Sequence, residues 1–427
     1  MLKQFTDYCA DEFMSIAEIE SVRLRLLRQH LAYCRDNSLY YRQLFKGRDF
    51  SKFELEDLAQ LPLTDKHDFS RQNDAFIAVD ETNIADIVFS SGTTGKPCKI
   101  VYSDDDLKRL AYNEAQAFGR FGLTAIDRVL LTCTIDRCFV AGLAYFLGIR
   151  KLGATAIRNG VNSFASHARI INELQPTVIV GVPSFLRKLG LFMQQANNSM
   201  ASVTKLVCIG EPIRQEDLTM SPVAVELKTI WNASLFSTYA SSETITTFAE
   251  CAAGQGAHLS YELGIIEIID EQGQQLPPGQ VGEVVVTPLQ ISGTPLVRFK
   301  TGDLSFLIDR PCECGRPGMR LGPILGRNSQ MLKVNGTTIF PQVIFSELAV
   351  IAEVDEYYIE VTGQHLADQV EIFVALNDDK ITLDELSQRI NAVTRVYLNI
   401  TKVKREVAMK KVFSASSRKP TRFFDLR

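Results

Sequence analysis

The spacing of apolar residues changes along the chain, and each spacing predicts a different kind of element. Over residues 19–45 the apolar positions Val22, Leu24, Leu27, Leu31 and Tyr40-Tyr41 recur at helical intervals, so a helix is expected there. Leu61-Pro62-Leu63-Thr64-Asp65-Lys66 reads as a turn, with Asp65 capping a following helix. Ile84-Ala85-Asp86-Ile87-Val88-Phe89 is a strand-like run. Beyond it, short apolar β runs at 128–133, 177–182 and 205–209 alternate with helical segments at 139–152, 166–174 and 183–194, the first of these ending at Gly153. Such alternation predicts βαβ units and a parallel sheet. Near Gly264 the texture changes: runs at 265–269 and 281–287 flank a turn with Gly273, Pro277, Pro278 and Gly279, which is antiparallel character. Gly326-Arg327-Asn328-Ser329-Gln330 reads as a linker. After it come strands at 357–361, 370–376 and 403–408 and a helix at 383–396. The predicted fold class is α/β. A large N-terminal domain (1–326) has parallel sheets flanked by helices plus a β-rich subdomain, and a small α+β domain follows (327–427).

Composition narrows this picture. The 427 residues are 46% hydrophobic and 22% charged, which suits a large globular core. A net charge of −4 gives no basic field for nucleic acid. No signal-peptide core opens the chain and no apolar stretch is long enough for a bilayer, so a cytoplasmic protein without membrane contact is expected. The nine cysteines are scattered and expected to be reduced, with Cys133, Cys138 and Cys208 as core residues.

The strand at 84–89 empties into Ser90-Ser91-Gly92-Thr93-Thr94-Gly95-Lys96-Pro97. Glycines let the backbone approach a ligand, hydroxyl and N–H groups donate, and the lysine adds charge, so the loop suits phosphate oxygens. It is not a Walker loop: two residues separate Gly92 from Gly95 and Pro97 follows Lys96. Alone, such a cluster is commonly a surface turn. Its meaning comes from its companions: Leu61–Lys66, Ile209-Gly210-Glu211-Pro212, Tyr239-Ala240-Ser241-Ser242-Glu243, Arg298-Phe299-Lys300-Thr301-Gly302-Asp303-Leu304 and Gly326-Arg327.

In order and spacing these segments resemble the adenylate-forming superfamily, in its phenylacetate–coenzyme A ligase-like branch. The resemblance runs from about Leu24 to the C-terminus. It implies that a carboxylate attacks the α-phosphate of ATP, releasing pyrophosphate, and that a thiol, usually coenzyme A, then takes the acyl group. It also implies that the small domain rotates between the steps. Residue by residue, Ser90, Ser91, Gly92, Thr93, Thr94, Gly95 and Lys96 resemble the phosphate loop. Glu243 resembles the Mg²⁺ ligand, Asp303 the acceptor for the ribose hydroxyls and Arg327 the arginine that reaches the nucleotide. Glu211, Pro212, Tyr239 and Ser242 resemble residues framing it. Lys419, before Arg422-Phe423-Phe424-Asp425, resembles the catalytic lysine. A charge on a long stem suits a phosphate gathering negative charge. Family members are often dimers, so a homodimer is implied.

The chain departs from the family pattern at several places. Ser329 stands where the hinge Asp is usual, and Asn335-Gly336 replaces Arg-Gly. Ala240 follows Tyr239 where Gly is usual. The acyl-pocket segment reads Thr134-Ile135-Asp136-Arg137-Cys138-Phe139-Val140, with its glycines largely gone. Arg137, Phe139 and Ala240 are therefore the pocket candidates, and an aryl or cyclic acid with polar substituents is expected. Asp136 and Arg137 either face solvent or read such a substituent. Two further readings stay open: adenylation with transfer to a carrier protein or amine, as in antibiotic and other secondary-metabolite pathways, and a nucleotide-binding homologue without catalysis.

Cys251, His258, Cys312 and Cys314 form a separate set. Brought together they suit a closed, structural Zn²⁺ site, although Cys-x-Cys is less specific than Cys-x₂-Cys.

Overall fold

The computed structural model describes residues 12–90, 98–334, 337–363, 368–378, 380–413 and 420–427. The chain divides into two compact units. The first comprises Met1–Thr219, Leu227–Thr301 and Ser305–Ile324, and the second Met220–Glu226, Gly302–Leu304 and Leu325–Arg427.

The first unit begins with helix α1 (Ile16–Asn37), opened by a capping box between Ser15 and Glu18, and helix α2 (Leu39–Leu44). The periodicity over 19–45 predicts one helix; two form because Ser38 takes extended backbone, ending α1 and capping Tyr41 at the start of α2. The break delivers Tyr41 and Phe45 into an aromatic cluster with Phe50, Phe69 and Phe76. Helix α3 (Lys66–Arg71) is capped by Asp65, as expected. Strands β1 (Asp86–Phe89) and β2 (Lys99–Tyr102) pair antiparallel, and helix α4 (Asp104–Arg120) follows.

The α/β segment then runs β3 (Arg128–Leu131), α5 (Val140–Leu152), β4 (Thr155–Arg158), α6 (Phe164–Leu174), β5 (Val178–Gly181), α7 (Pro183–Gln195), β6 (Lys205–Cys208), α8 (Pro222–Trp231), β7 (Ser234–Ser241) and β8 (Thr246–Ala249). The sheet order is β4-β3-β5-β6-β7-β8, parallel except at β8. Helical crossovers cover both faces, which is why β5 is apolar and buried at every position. Helix α5 ends where expected, because Gly153 takes the left-handed conformation (φ 87°). Strands β9 (Gly264–Ile269), β10 (Gly282–Pro288) and β11 (Phe299–Ser305) form the antiparallel region, followed by the β12 (Leu307–Ile308) and β13 (Arg320–Leu321) pair.

The second unit includes β14 (Gly326–Arg327), β15 (Leu332–Val334), β16 (Thr337–Ile339), α9 (Pro341–Leu348), β17 (Val354–Thr362), β18 (Gln369–Leu376), α10 (Leu383–Thr394), β19 (Asn399–Lys402), α11 (Arg405–Val412) and β20 (Phe423–Asp425). Its sheet order is β19-β18-β17-β20. Two expectations are corrected here. The segment read as a linker pairs as β14 with Asp303 and Leu304, and a Cβ on Gly326 would lie 2.6 Å from the Phe340 ring. The strand expected at 403–408 is the start of α11, whose Ala408 and Val412 are buried one helical turn apart. Among the described residues no helix is long and apolar enough to cross a membrane.

Candidate active site

Strand β1 leads into Ser90, whose backbone N–H donates to the Cys98 carbonyl at 2.9 Å. The Cys98 N–H donates to the Ser90 Oγ at 3.2 Å. Ser90 is therefore buried and ties the two ends of the predicted phosphate loop together. Ser91, Gly92, Thr93, Thr94, Gly95 and Lys96 lie outside the described residues.

Glu243 sits in the tight turn between β7 and β8. The next residue but one, Ile245, has φ 48°, a costly conformation for a β-branched side chain. Arg109, on α4, braces that turn. Its Nη1 donates to the Ile245 carbonyl, its Nη2 to Thr246 Oγ1 at 3.2 Å and to the Leu263 carbonyl, and its Nε to the Leu289 carbonyl at 2.8 Å. Complete burial lowers the Arg109 pKa to about 10, which leaves it charged at neutral pH. Tyr102 Oη donates to the Ser242 carbonyl at 2.9 Å from the other side. The turn thus presents Glu243 from a fixed base. Lys66 Nζ lies 3.1 Å from the Glu243 Oε1, with the glutamate side chain 8% and the lysine 24% exposed. Burial raises the Cys98 thiol pKa; Ser90 and Lys66 oppose that rise and Glu243 adds to it. The mouth of the loop and the Lys66–Glu243 pair therefore share one neighbourhood.

The other candidates fall into smaller groups. The Glu211 carboxylate accepts the Ser184 N–H at 2.9 Å and its Oγ–H at 2.8 Å, at the start of α7. Pro212 is half-buried beside it. Tyr239 packs on Phe248 across the β7–β8 pair at 5.7 Å between ring centroids, and Ala240 is exposed. In the acyl-pocket segment Arg137 (φ 61°) and Cys138 (φ 51°) are consecutive left-handed residues. Both are exposed, as is Asp136, and Phe139 caps α5. Exposure of Cys138 corrects its expected place in the core, while Cys133 and Cys208 are buried. The Phe89 N–H donates to the Cys138 carbonyl at 3.0 Å, which fastens this turn to the end of β1, next to Ser90. In the second unit, Arg327 Nε donates to Asp303 Oδ1 at 3.1 Å. Lys419 lies outside the described residues.

The cysteine–histidine set does converge. Ligand atoms of Cys251, His258, Cys312 and Cys314 all lie within 4.8 Å of one another. The Cys251 and Cys312 sulfurs are 3.6 Å apart, and Cys314 Sγ is 3.5 Å from His258 Nε2. Bridges Ala249–His258 and Ala257–Leu321 draw the strands together. Burial, then the Arg120, Arg316 and Arg320 guanidiniums, lower the His258 pKa to about 3, so its ring is neutral and able to ligate. Among the described residues, buried Arg320 Nε and Nη1 have no hydrogen-bond partner. A tetrahedral Zn²⁺ with three thiolates and one imidazole carries one net negative charge, which this arginine shell would offset.

Two residues that contact the Glu243 turn lie outside the sequence-derived candidates. Lys66 belongs to the Leu61–Lys66 segment, where the sequence marks it only as the residue after a helix cap. Arg109 lies on a polar stripe of α4 with Asn113, Gln116 and Arg120, all buried. Four polar residues on one face of a helix otherwise buried by its neighbours is the signal that could have found it.

Residues 42–292 match the AMP-binding enzyme family, to which the chain belongs. Phenylacetate–coenzyme A ligase of Thermus thermophilus is 30% identical over 373 residues, covering 84% of this chain and 82% of that one. The Pseudomonas putida phenylacetate–coenzyme A ligase is 29% identical over 391 residues, covering 88% and 87%. The chain is an adenylate-forming ligase of this phenylacetate–coenzyme A ligase-like branch. A crystal structure of 2-hydroxyisobutyryl-CoA ligase in the postadenylation state shares the fold, with a TM-score of 0.83, 20% identity and coverage of 97% and 91%.

Proposed function

We propose that the protein activates a carboxylic acid with ATP and transfers the acyl group to coenzyme A. The acid's carboxylate oxygen bonds to the α-phosphorus, the bond from that phosphorus to the bridging oxygen breaks, and pyrophosphate leaves. The coenzyme A thiol then loses its proton and attacks the acyl carbon, and AMP departs. The observation that carries this reading is the Glu243 carboxylate, held on a braced turn at the mouth of a glycine- and hydroxyl-rich loop. Glu243 offers a hard carboxylate oxygen donor, so it fits Mg²⁺. Bound there, Mg²⁺ would supply charge to the pyrophosphate oxygens. Tyr239 would lie against the adenine, and the Glu211–Pro212 backbone would frame it, since the Glu211 side chain is engaged with Ser184.

The proposed acid is aryl or cyclic with a polar substituent; Arg137, exposed on a turn fastened beside Ser90, is the candidate to meet that substituent. A screen of aromatic, hydroxy and aliphatic acids with mass detection should give acyl-AMP with ATP alone and a thioester once coenzyme A is added. Absence of an adenylate across the panel would defeat the reading. An adenylate that transfers only to a pantetheinylated carrier would move the acceptor from coenzyme A to a protein.

We assign Zn²⁺ to Cys251, His258, Cys312 and Cys314 in a structural role, because four protein ligands leave no open position. Protein purified without added metal should carry about one zinc per chain by atomic emission. A content near zero would end this assignment.

A further inference from the structure

We propose that Lys66 is an exchangeable counter-cation for Glu243: it holds the carboxylate until a metal–nucleotide complex arrives, then yields it and follows the triphosphate. The inference rests on the reading of Glu243 as the metal-binding carboxylate.

Burying the Glu243 carboxylate costs hydration that a nearby cation offsets, and the Lys66 ammonium at 3.1 Å supplies that charge. The lysine's backbone is anchored. Thr64 donates from its N–H to the Arg298 carbonyl at 3.1 Å and from Oγ1 to the Val297 carbonyl at 2.8 Å, and the Lys300 N–H donates to the Thr64 carbonyl at 2.8 Å. Asp65 caps the helix that Lys66 begins. The ammonium, by contrast, ends a flexible four-carbon stem and can turn between nearby anions without moving the main chain. A divalent ion at Glu243 would repel this ammonium from the same oxygens. A triphosphate arriving with the metal brings more negative charge than the metal neutralises, so it offers Lys66 a new anionic partner. The exchange keeps the buried site near neutrality before and after binding.

Electron paramagnetic resonance with Mn²⁺, without nucleotide, tests the competition directly. Lys66→Met and Lys66→Gln should each bind Mn²⁺ roughly three- to tenfold more tightly than the parent, because the competing cation is gone. Their KM for Mg·ATP should rise roughly three- to tenfold, because the phosphates lose a partner. Lys66→Arg should bind Mn²⁺ as the parent does. A purely structural ion pair would leave Mn²⁺ affinity unchanged or weaken it in both neutral variants, and that result would overturn the exchange. Glu243→Gln is the separating control. Loss of Mn²⁺ binding there, with no gain in the Lys66 variants, defeats only the exchange. Unaltered Mn²⁺ binding in Glu243→Gln removes Glu243 from the metal site, and the exchange with it.

Discussion

Lys419→Ala is expected to slow adenylate formation roughly 10²–10³-fold, with ATP affinity changed far less, as for loss of one pre-aimed electrostatic donor. The charge that builds on the transferring phosphate exists mainly in the transition state, so a lysine aimed at it contributes to rate and little to ground-state binding. The other reading is a basic tail acting in bulk. The structure gives much of that tail other work. Lys411 pairs with Glu360 at 2.7 Å and lies over the Phe424 ring, Arg405 pairs with Asp355 at 2.7 Å, and Arg422 pairs with buried Glu356 at 2.7 Å. The stretch just after Lys419 is itself fastened as β20 beside β17. Acid-dependent pyrophosphate exchange would measure the effect, with Lys402→Ala as the charge-matched control. Equal rates for parent and Lys419→Ala would remove this residue from the mechanism. An equal loss in the control would return the effect to the tail.

Much of the fold could be read from the chain because its signals are local. The apolar runs and the Gly153 stop describe single elements, and βαβ alternation follows from their order. Where local pattern was ambiguous, burial decided. The run Val403-Lys404-Arg405-Glu406-Val407-Ala408, expected as a strand, has its apolar residues at 403, 407 and 408, nearer a helical spacing, and Ala408 and Val412 are buried one turn apart in α11. A single helix fits residues 19–45 until Ser38, whose hydroxyl serves Tyr41 and donates to the Ala75 carbonyl at 2.9 Å, a partner outside the local window.

The site follows the same division. Glu243, Asp303 and the cysteine–histidine set were legible as residue types in ordered motifs. Their supports were not, because a buried ion pair or brace joins positions that no periodicity relates. Lys66 meets Glu243 and Arg109 meets Ile245 only after the hairpin, α4 and the β7–β8 turn have packed. The motif marks Glu211 as a residue framing the nucleotide but not where its side chain goes, since the engagement at the start of α7 depends on a helix that begins far upstream.

Asp303→Ala should weaken ATP binding roughly 10- to 100-fold, the scale of one or two charge-assisted hydrogen bonds of about 1.5–3 kcal/mol from a ribose. The rate at saturating ATP should fall less, since the ribose contacts are made equally before and during the reaction. Asp303 also accepts Arg327 Nε at 3.1 Å, so its removal would take away both the proposed ribose acceptor and one partner of the Arg327 guanidinium. Two comparisons separate these effects. Arg327→Ala reports the loss of the ion pair with the carboxylate kept; if it matches Asp303→Ala in ATP affinity, anchoring the arginine is the whole role. The 2′- and 3′-deoxy forms of ATP report the ribose directly: the parent should bind them more weakly than ATP, and Asp303→Ala should bind all three alike. A parent indifferent to the missing hydroxyls, or an alanine variant that binds ATP as the parent does, would show that this carboxylate does not hold the sugar.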